Sequence, residues 1–242
     1  MAKSIRLSVS IVVLACFFCL THVGGQEKEA RQSAQSVDVT SKLHFLLHLP
    51  DGYQADENKQ WPLLIFLHGA GERGDDLDLV KKWGPPKQVE ENNDLPFIVV
   101  SPQCPKRGYW NIEHLNQMVD SVIKNNRVDS KRVYLTGLSM GGYGTWALAA
   151  LHPEKFAAIA PICGGGDPAA AELLLQTPIW AFHGDADNVV PLSGSVDIVE
   201  AIKAKGGTKA RLTIYEGVGH NSWSETYANP ELYQWLLQHK RD

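Results

Sequence analysis

Short, continuously apolar segments alternate with helical patterns along most of this chain. Between these segments apolar residues recur at helical spacing, as in Leu115, Met118 and Val122. Strands that are apolar throughout are typical of a sheet covered on both faces, and their alternation with helices favours parallel pairing. The sequence therefore predicts an α/β fold with a mostly parallel central sheet flanked by helices. The strand candidates are residues 43–49, 63–67, 97–100, 133–136, 158–162, 179–182 and 212–215.

The first 25 residues have a different character. Lys3 and Arg6 precede an uncharged, mostly apolar run over residues 7–20, and Val23 and Gly25 are small enough for a cleavage site before Gln26. This order is typical of a secretory signal peptide, and the run is short for a membrane-spanning helix; a retained N-terminal anchor is the alternative. Residues 26–36 are polar, and we expect a disordered lead-in there. We expect residues 37–242 to form one domain of a secreted or periplasmic protein, with no stable membrane insertion after cleavage.

Charge and cysteine content narrow the possible functions. The formal net charge is −4 and the basic residues are scattered, which argues against nucleic acid as a partner. Two of the four cysteines lie in the predicted signal peptide, so Cys104 and Cys163 remain after cleavage. They follow strand candidates that we place apart in the sheet. We therefore expect free thiols.

No cofactor and no metal ion are expected. The letters GYGTWA at residues 142–147 resemble a dinucleotide fingerprint, but they begin inside a helical pattern and lack the acidic residue expected about 20 positions later. His44 and His48 share one strand face, where four residues span roughly 13 Å. That separation is too large for one metal ion.

The stretch VYLTGLSMGGYGTW places Ser139 between an apolar strand candidate and a helix-forming segment. Gly137 and Gly141 complete the pattern G-x-S-x-G, which is typical of a sharp strand-to-helix turn that exposes a nucleophilic serine. An ordinary glycine-rich turn is the alternative. A tetrahedral oxyanion needs backbone N–H donors, and the N–H of Met140 follows directly from such a turn.

A serine nucleophile needs a base, and the base needs an orienting acid. His220 follows the last strand candidate and is the predicted base. Asp185 and Asp187 both follow the strand candidate at residues 179–182; we favour Asp187 as the acid and expect Asp185 to stabilise the turn. His68 and His183 stand at strand ends before glycines, where we expect them to brace loops.

The second oxyanion donor should come from the loop after the strand candidate at residues 63–67. Ala70 is the preferred donor and Gly71 the alternative. Trp110 and Trp223 also follow strand candidates, and either core packing or substrate contact would explain them. Together with Gly71 they are the candidate substrate-binding residues.

The motifs LHGAGERGDD, GLSMGGYGTW, HGDADNVVP and GVGHNSW occur in this order. Together they resemble the α/β-hydrolase superfamily, and within it the single-domain phospholipase/carboxylesterase and feruloyl-esterase-like branch often labelled "predicted peptidase". The resemblance covers roughly residues 38–240. It implies an α/β-hydrolase fold without a large cap domain, with Ser139 as nucleophile, Asp187 as acid and His220 as base. The cysteine nucleophile of the related dienelactone hydrolases is absent, which argues against that activity.

The sequence as a whole predicts a secreted serine esterase. The expected substrates are small acyl or aryl carboxylic esters, including acetyl or feruloyl groups on a polysaccharide, hydrolysed through an acyl-enzyme. The loop at residues 163–177 is too short for a cap, which favours an open, shallow site. A serine peptidase of the same fold is the alternative, because it uses the same machinery. A non-catalytic secreted binding protein is a further alternative, although such a protein would normally have lost a triad member.

Overall fold

The computed structural model describes residues 31–38, 42–91 and 95–242 of the 242-residue chain. The predicted signal peptide, and residues 26–30 of the predicted lead-in, lie outside the described residues. The described residues form a single eight-stranded sheet. Its strands are β1 Ser33–Asp38, β2 Lys42–His48, β3 Trp61–Leu67, β4 Ile98–Pro102, β5 Val128–Leu138, β6 Ala158–Ile162, β7 Ile179–Gly184 and β8 Ala210–Tyr215.

The strand order across the sheet is β1-β2-β4-β3-β5-β6-β7-β8. The pairs β1–β2 and β2–β4 are antiparallel, and every pair from β4 to β8 is parallel. This mostly parallel sheet confirms the predicted fold class. Each apolar strand candidate of the sequence overlaps one of the strands β2 to β8.

The edge strand β1 was not predicted. It pairs with β2 from Ser33 opposite Leu47 to Asp38 opposite Lys42, so the predicted disordered lead-in is wrong for residues 33–36. The side-chain amide of Gln32, just before the strand, donates to the Pro86 carbonyl oxygen at 3.1 Å. An edge strand pairs through its backbone on one side only and needs no apolar run, so its sequence carries little signal.

Helices cover both faces of the sheet. Alternate residues of each central strand point to opposite faces, so Leu63, Ile65 and Leu67 of β3 join one core while Leu64 and Phe66 join the other. This two-sided burial explains why the central strands are apolar throughout. The α-helices of the described residues are α1 Gly84–Glu90, α2 Ile112–Asn125, α3 Met140–Leu151, α4 Ser193–Ala204, α5 Trp223–Ala228 and α6 Pro230–Gln238, and the 3₁₀ helices are Ala70–Glu72, Leu77–Lys82, Pro153–Lys155 and Pro168–Leu174.

The first core contains the apolar sides of α2, α3 and α4, and the second contains those of α1, α5 and α6. The carboxyl ends of the parallel strands meet at one edge of the sheet, where ligands of such folds bind. Of the helices that the structure describes, none has the length and apolar character to cross a membrane.

Both described cysteines are free and buried. Cys104 follows β4 and Cys163 follows β6, with β3 and β5 between these strands in the sheet. Burial raises the pKa of Cys104 to about 11 and that of Cys163 to about 12. The thiolate is the reactive form of cysteine, so neither thiol is activated near neutral pH.

Candidate active site

Ser139 lies in a sharp turn between the end of β5 and the start of α3. Its backbone has φ 53° and ψ −117°, a conformation that residues other than glycine rarely adopt. Such a conformation costs about 1–3 kcal/mol and persists only where the surrounding structure holds it. Here the Ser139 N–H donates to the Ile162 carbonyl oxygen at 2.9 Å, which ties the turn to β6.

Two glycines allow this turn to form. A Cβ atom on Gly137 would lie 2.4 Å from the carbonyl oxygen of Gly141, and one on Gly141 would lie 1.8 Å from the carbonyl oxygen of Leu67. A larger residue at either position would collide with backbone and separate α3 from β3 or β5. The G-x-S-x-G pattern is therefore a packing requirement of the turn that exposes Ser139.

The structure brings Ser139, His220 and Asp187 together in one hydrogen-bonded chain. Nε2 of His220 lies 2.9 Å from Oγ of Ser139, and Nδ1 lies 2.7 Å from Oδ2 of Asp187. Asp187 comes from the loop after β7 and His220 from the loop after β8. Because Nδ1 must donate to the carboxylate, Nε2 is free to accept the serine proton. This arrangement can convert the Ser139 hydroxyl into a nucleophile.

The Asp187 carboxylate is fully buried, whereas 18% of the His220 side chain is exposed. Oδ1 of Asp187 accepts the N–H groups of Val189 at 2.8 Å and Val190 at 2.9 Å. Burial alone would raise the pKa of Asp187, but the hydrogen bonds from His220, Val190 and Val189 outweigh burial and hold this pKa below its usual value. Asp187 is therefore ionised opposite His220.

Asp185 does not contact His220 in the described hydrogen-bond network. Its carboxylate is exposed and accepts the Gly217 N–H at 2.7 Å. Gly217 is the second residue of the loop that carries His220 and has φ 69°, a conformation that suits glycine. Asp185 thus stabilises a turn, in line with the role that the sequence suggested for it.

His183 braces the loop that holds Asp187. It is fully buried, with Nδ1 2.8 Å from Oγ of Ser195 and Nε2 3.0 Å from the carbonyl oxygen of Val190. A carbonyl only accepts hydrogen bonds, so Nε2 carries a proton. The same Nε2 lies 3.3 Å from Oδ2 of Asp187. His183 therefore fixes both the loop backbone and one carboxylate oxygen.

The candidate oxyanion donors lie on two neighbouring segments. Met140 is the first residue of α3, and Ala70 and Gly71 open the 3₁₀ helix Ala70–Glu72 after β3. N–H groups in the first turn of a helix have no partner within that helix, so they can donate to an anion. A Cβ atom on Gly71 would meet no atom within 4 Å, which leaves open space at this position.

Side chains from outside hold this 3₁₀ helix in place. Nε of Arg73 donates to the Ala70 carbonyl oxygen at 2.9 Å, and its Nη1 donates to the Gly108 carbonyl oxygen at 3.1 Å. Nε2 of Gln103 donates to the Glu72 carbonyl oxygen at 2.9 Å. The loop before α2 and the loop that carries Ala70 are therefore cross-linked.

His68 braces the same region, as the sequence predicted. Nδ1 lies 2.6 Å from the carbonyl oxygen of Gly69, and Nε2 accepts the Cys104 N–H at 2.9 Å. These partners require a neutral imidazole with its proton on Nδ1. Burial lowers the pKa of His68 from 6.5 to about 4, which agrees with this form.

This pKa predicts a loss of stability in acid. The unfolded chain takes up a proton at His68 near pH 6.5, whereas the folded protein does so only near pH 4. The contribution of His68 is therefore fully present above about pH 6.5 and is lost as the pH falls toward 4, by about 3 kcal/mol in all. Urea unfolding at about pH 7 and about pH 4.5 should show a larger loss in the wild type than in His68→Gln.

The exposed His44 supplies a control for that measurement. His44→Gln should lose as much stability in acid as the wild type. Equal losses in the wild type and in His68→Gln would contradict the assignment to His68.

A pocket of about 460 Å³ opens beside Ser139. Trp110 lines it, while its ring also lies 4.7 Å from that of His68, centroid to centroid. Trp223 instead packs against His220 with the two rings nearly perpendicular and their centroids 5.3 Å apart. We name this cavity the nucleophile pocket; its lining residues are Tyr109, Trp110, Ile112, Ser139, Met140, Tyr143, Gly144 and Ala147.

The sequence did not identify Tyr143, Gly144 and Ala147 as pocket residues. They follow Ser139 on one face of α3, at four, five and eight residues. Helical spacing after the serine was therefore the available signal. No group of three or more His, Cys, Asp or Glu side chains in the described ranges is arranged to hold a metal ion.

The model of the dienelactone hydrolase family matches residues 79–231, more than half of the chain. The chain belongs to the dienelactone hydrolase family. Ser139, Asp187 and His220 all lie within the matched residues. The match confirms the resemblance to the α/β-hydrolase superfamily. In this member of the dienelactone hydrolase family the sharp turn between β5 and α3 carries a serine.

Similar proteins carry esterase or depolymerase names. The poly(3-hydroxyalkanoate) depolymerase C of Paucimonas lemoignei is 32% identical over 208 residues, covering 73% of this chain and 49% of that protein. The probable feruloyl esterase C of Aspergillus niger is 24% identical, covering 90% of this chain and 84% of that protein. The solved structure of a thermostable esterase is 34% identical, with a TM-score of 0.78 over 87% of this chain and 64% of that chain.

The chain thus spans about half the length of the depolymerase and just under two thirds of the thermostable esterase. The names of these relatives agree with the carboxylic ester hydrolase class that the sequence predicted. The structural match agrees with the fold described above.

Proposed function

We propose that this protein is a serine hydrolase that cleaves carboxylic esters of small acyl or aryl groups. The single observation that carries the proposal is the chain of hydrogen bonds from Ser139 through His220 to the fully buried Asp187 carboxylate. A serine at the start of a helix, paired with an oriented imidazole, suits acyl transfer. The esterase names of the relatives support the same reaction class.

In the first half of the proposed reaction, Oγ of Ser139 attacks the ester carbonyl carbon while Nε2 of His220 takes the hydroxyl proton. The negative charge on the carbonyl oxygen is stabilised by the N–H of Met140 and by that of Ala70, with Gly71 as the alternative donor. The C–O bond to the alcohol then breaks, and the alcohol leaves with the proton from Nε2.

In the second half, water attacks the acyl group on Ser139 and gives its proton to Nε2. The acid is released when Oγ recovers that proton. Asp187 remains ionised throughout and holds Nδ1–H of His220, which fixes the tautomer and stabilises the imidazolium. The buried position of Asp187 and its four surrounding N–H groups suit this role.

The size and the lining of the nucleophile pocket support a short acyl or an aryl group. Its volume is about 460 Å³, and aromatic and aliphatic side chains such as Trp110, Tyr143 and Ile112 line it. Feruloyl esterase relatives support an aryl group. Acetyl or feruloyl esters on a polysaccharide are therefore proposed among the natural substrates, with Trp110 and Gly71 beside the substrate and Trp223 behind His220.

Two substrate series test this function. The first uses p-nitrophenyl esters from acetate to decanoate, and the second compares p-nitrophenyl acetate with a chromogenic peptide anilide. We expect kcat/KM to be highest for short acyl groups and the anilide to react far more slowly. A maximum at decanoate would contradict the short-acyl assignment, and faster cleavage of the anilide would identify a peptidase.

Export completes the proposal. It rests on the charged start, apolar run and small residues of the first 25 residues. Expression of the full chain should yield a mature protein that begins at or near Gln26, measured by intact mass. Recovery of the uncleaved chain from the membrane fraction would instead favour a retained anchor.

A further inference from the structure

A second apolar cleft lies next to the nucleophile pocket. Its volume is about 500 Å³, and it shares Tyr143 and Ala147 with the nucleophile pocket. Tyr143 is 46% exposed and stands at the boundary between the two cavities. We name this cleft the distal groove; its other walls include Trp146, Ala150, Asp167, Ala170, Leu174 and Ile198.

The distal groove runs along α3 away from Ser139. Ala147 follows Ser139 by eight residues, and Ala150 is three residues farther along. Eight residues of α-helix extend about 12 Å. A linear ligand whose ester carbonyl lies at Ser139 can therefore pass Tyr143 and continue into the groove.

The lining of the groove favours an aliphatic ligand. Leu174 and Ile198 are fully buried core residues that form its floor, and 2% of Trp146 is exposed, so its ring is not a free stacking platform. Asp167 is the charged side chain of the lining; it is exposed to solvent, and its Oδ1 accepts the Ala169 N–H at 2.9 Å. Sugar hydroxyls placed on this floor would lose water without gaining hydrogen-bond partners.

We propose that the protein also hydrolyses aliphatic oligoesters, with a short acyl unit in the nucleophile pocket and the units on the alcohol side of the cleaved ester in the distal groove. This inference rests on the proposed esterase function and adds a substrate class to it. The chemistry is unchanged: Ser139 Oγ displaces the alcohol end of one chain fragment, and water then releases the acid end of the other. Each cleavage consumes one water and breaks one ester bond.

The test is a length series of linear β-hydroxybutyrate oligomers, from the dimer to the hexamer, with p-nitrophenyl acetate as the monomeric reference. Each added unit buries one methyl and one methylene group, so kcat/KM should rise about tenfold for each unit that enters the groove and then level off. A flat series with active p-nitrophenyl acetate hydrolysis would overturn this inference alone. No hydrolysis of p-nitrophenyl acetate would overturn the esterase function and this inference with it.

Matched variants locate the effect. Ala170 is half-buried and lines the groove, whereas Ala169 is exposed on the same 3₁₀ helix and does not line it. Ala170→Phe should lower the ratio of hexamer to acetate kcat/KM about tenfold. Ala169→Phe should keep the wild-type ratio. Equal ratios in both variants would overturn the assignment of the groove.

Two further measurements keep the test decisive. If Ala170→Phe has a lowered melting temperature, the smaller Ala170→Leu should show the same change in ratio to a lesser degree. Acetylated xylo-oligosaccharides of increasing length provide the competing substrate class. A rise with sugar chain length, without one for the oligoesters, would show that a carbohydrate occupies the groove and would overturn the proposal.

Discussion

Replacing Ser139 with alanine is expected to abolish ester hydrolysis and to leave the fold intact. The hydroxyl is the atom that attacks the carbonyl in the proposed reaction, and the turn is held by Gly137, Gly141 and the Ser139 N–H rather than by the side chain. The loss should be on the order of 10³-fold or more, as for other residues of serine hydrolase triads. Rates with p-nitrophenyl acetate, together with thermal unfolding, measure both parts.

Ser130 provides a matched control, because it is exposed and lies in β5 well before the turn. Ser130→Ala should retain wild-type activity. A folded Ser139→Ala protein that kept more than about a tenth of the activity would exclude Ser139 as the nucleophile.

Asp187→Asn is also expected to cause a large loss of activity. An asparagine at this position favours the wrong tautomer of His220 and cannot compensate the imidazolium, which in serine hydrolase triads costs on the order of 10⁴-fold in kcat. The same isosteric change at Asp185 should have little effect, because its exposed side chain accepts the Gly217 N–H and an amide oxygen can still do so.

The comparison of these two variants distinguishes the carboxylates without changing side-chain volume. The kcat values and the unfolding midpoints of both should be measured under one condition. Equal losses, or a larger loss for Asp185→Asn, would reverse the assignment.

Continuous apolar runs made most of the sheet predictable. Strands β3 and β6 are buried on two faces, and their sequences are therefore apolar throughout. Strand β6 begins and ends where the sequence indicated, and β3 differs only at its start. Strand β1 could not be predicted in the same way. Its backbone pairs along one edge with β2, and edge pairing does not require an apolar pattern.

The candidate site could be predicted as far as loop order and residue chemistry allow. The sequence placed Asp185 and Asp187 in one loop and favoured Asp187; the conformation of the loops after β7 and β8 brings Asp187 within 2.7 Å of His220, whereas Asp185 accepts the Gly217 N–H. Tyr143 and Ala147 were missed for a similar reason. Which side of α3 borders a cavity depends on how the loops before α2 and after β6 pack against it.

The serine in the turn between β5 and α3 can be compared with the cysteine nucleophile of the related dienelactone hydrolases. A buried cysteine, Cys163, lies close behind the turn, and its pKa of about 12 keeps it protonated. It does not replace the cysteine nucleophile of the related dienelactone hydrolases. We therefore propose that the chemistry of this family member depends on Ser139.

The most direct test of this account is covalent labelling with a fluorophosphonate, followed by intact-mass measurement and peptide mapping. The reagent reacts with a serine that a neighbouring base activates, so it reports on the nucleophile independently of the substrate. We expect one equivalent of label on Ser139 in the wild type, slow labelling in Asp187→Asn and none in Ser139→Ala. Stoichiometric label on another residue, or undiminished labelling of Ser139→Ala, would contradict the account.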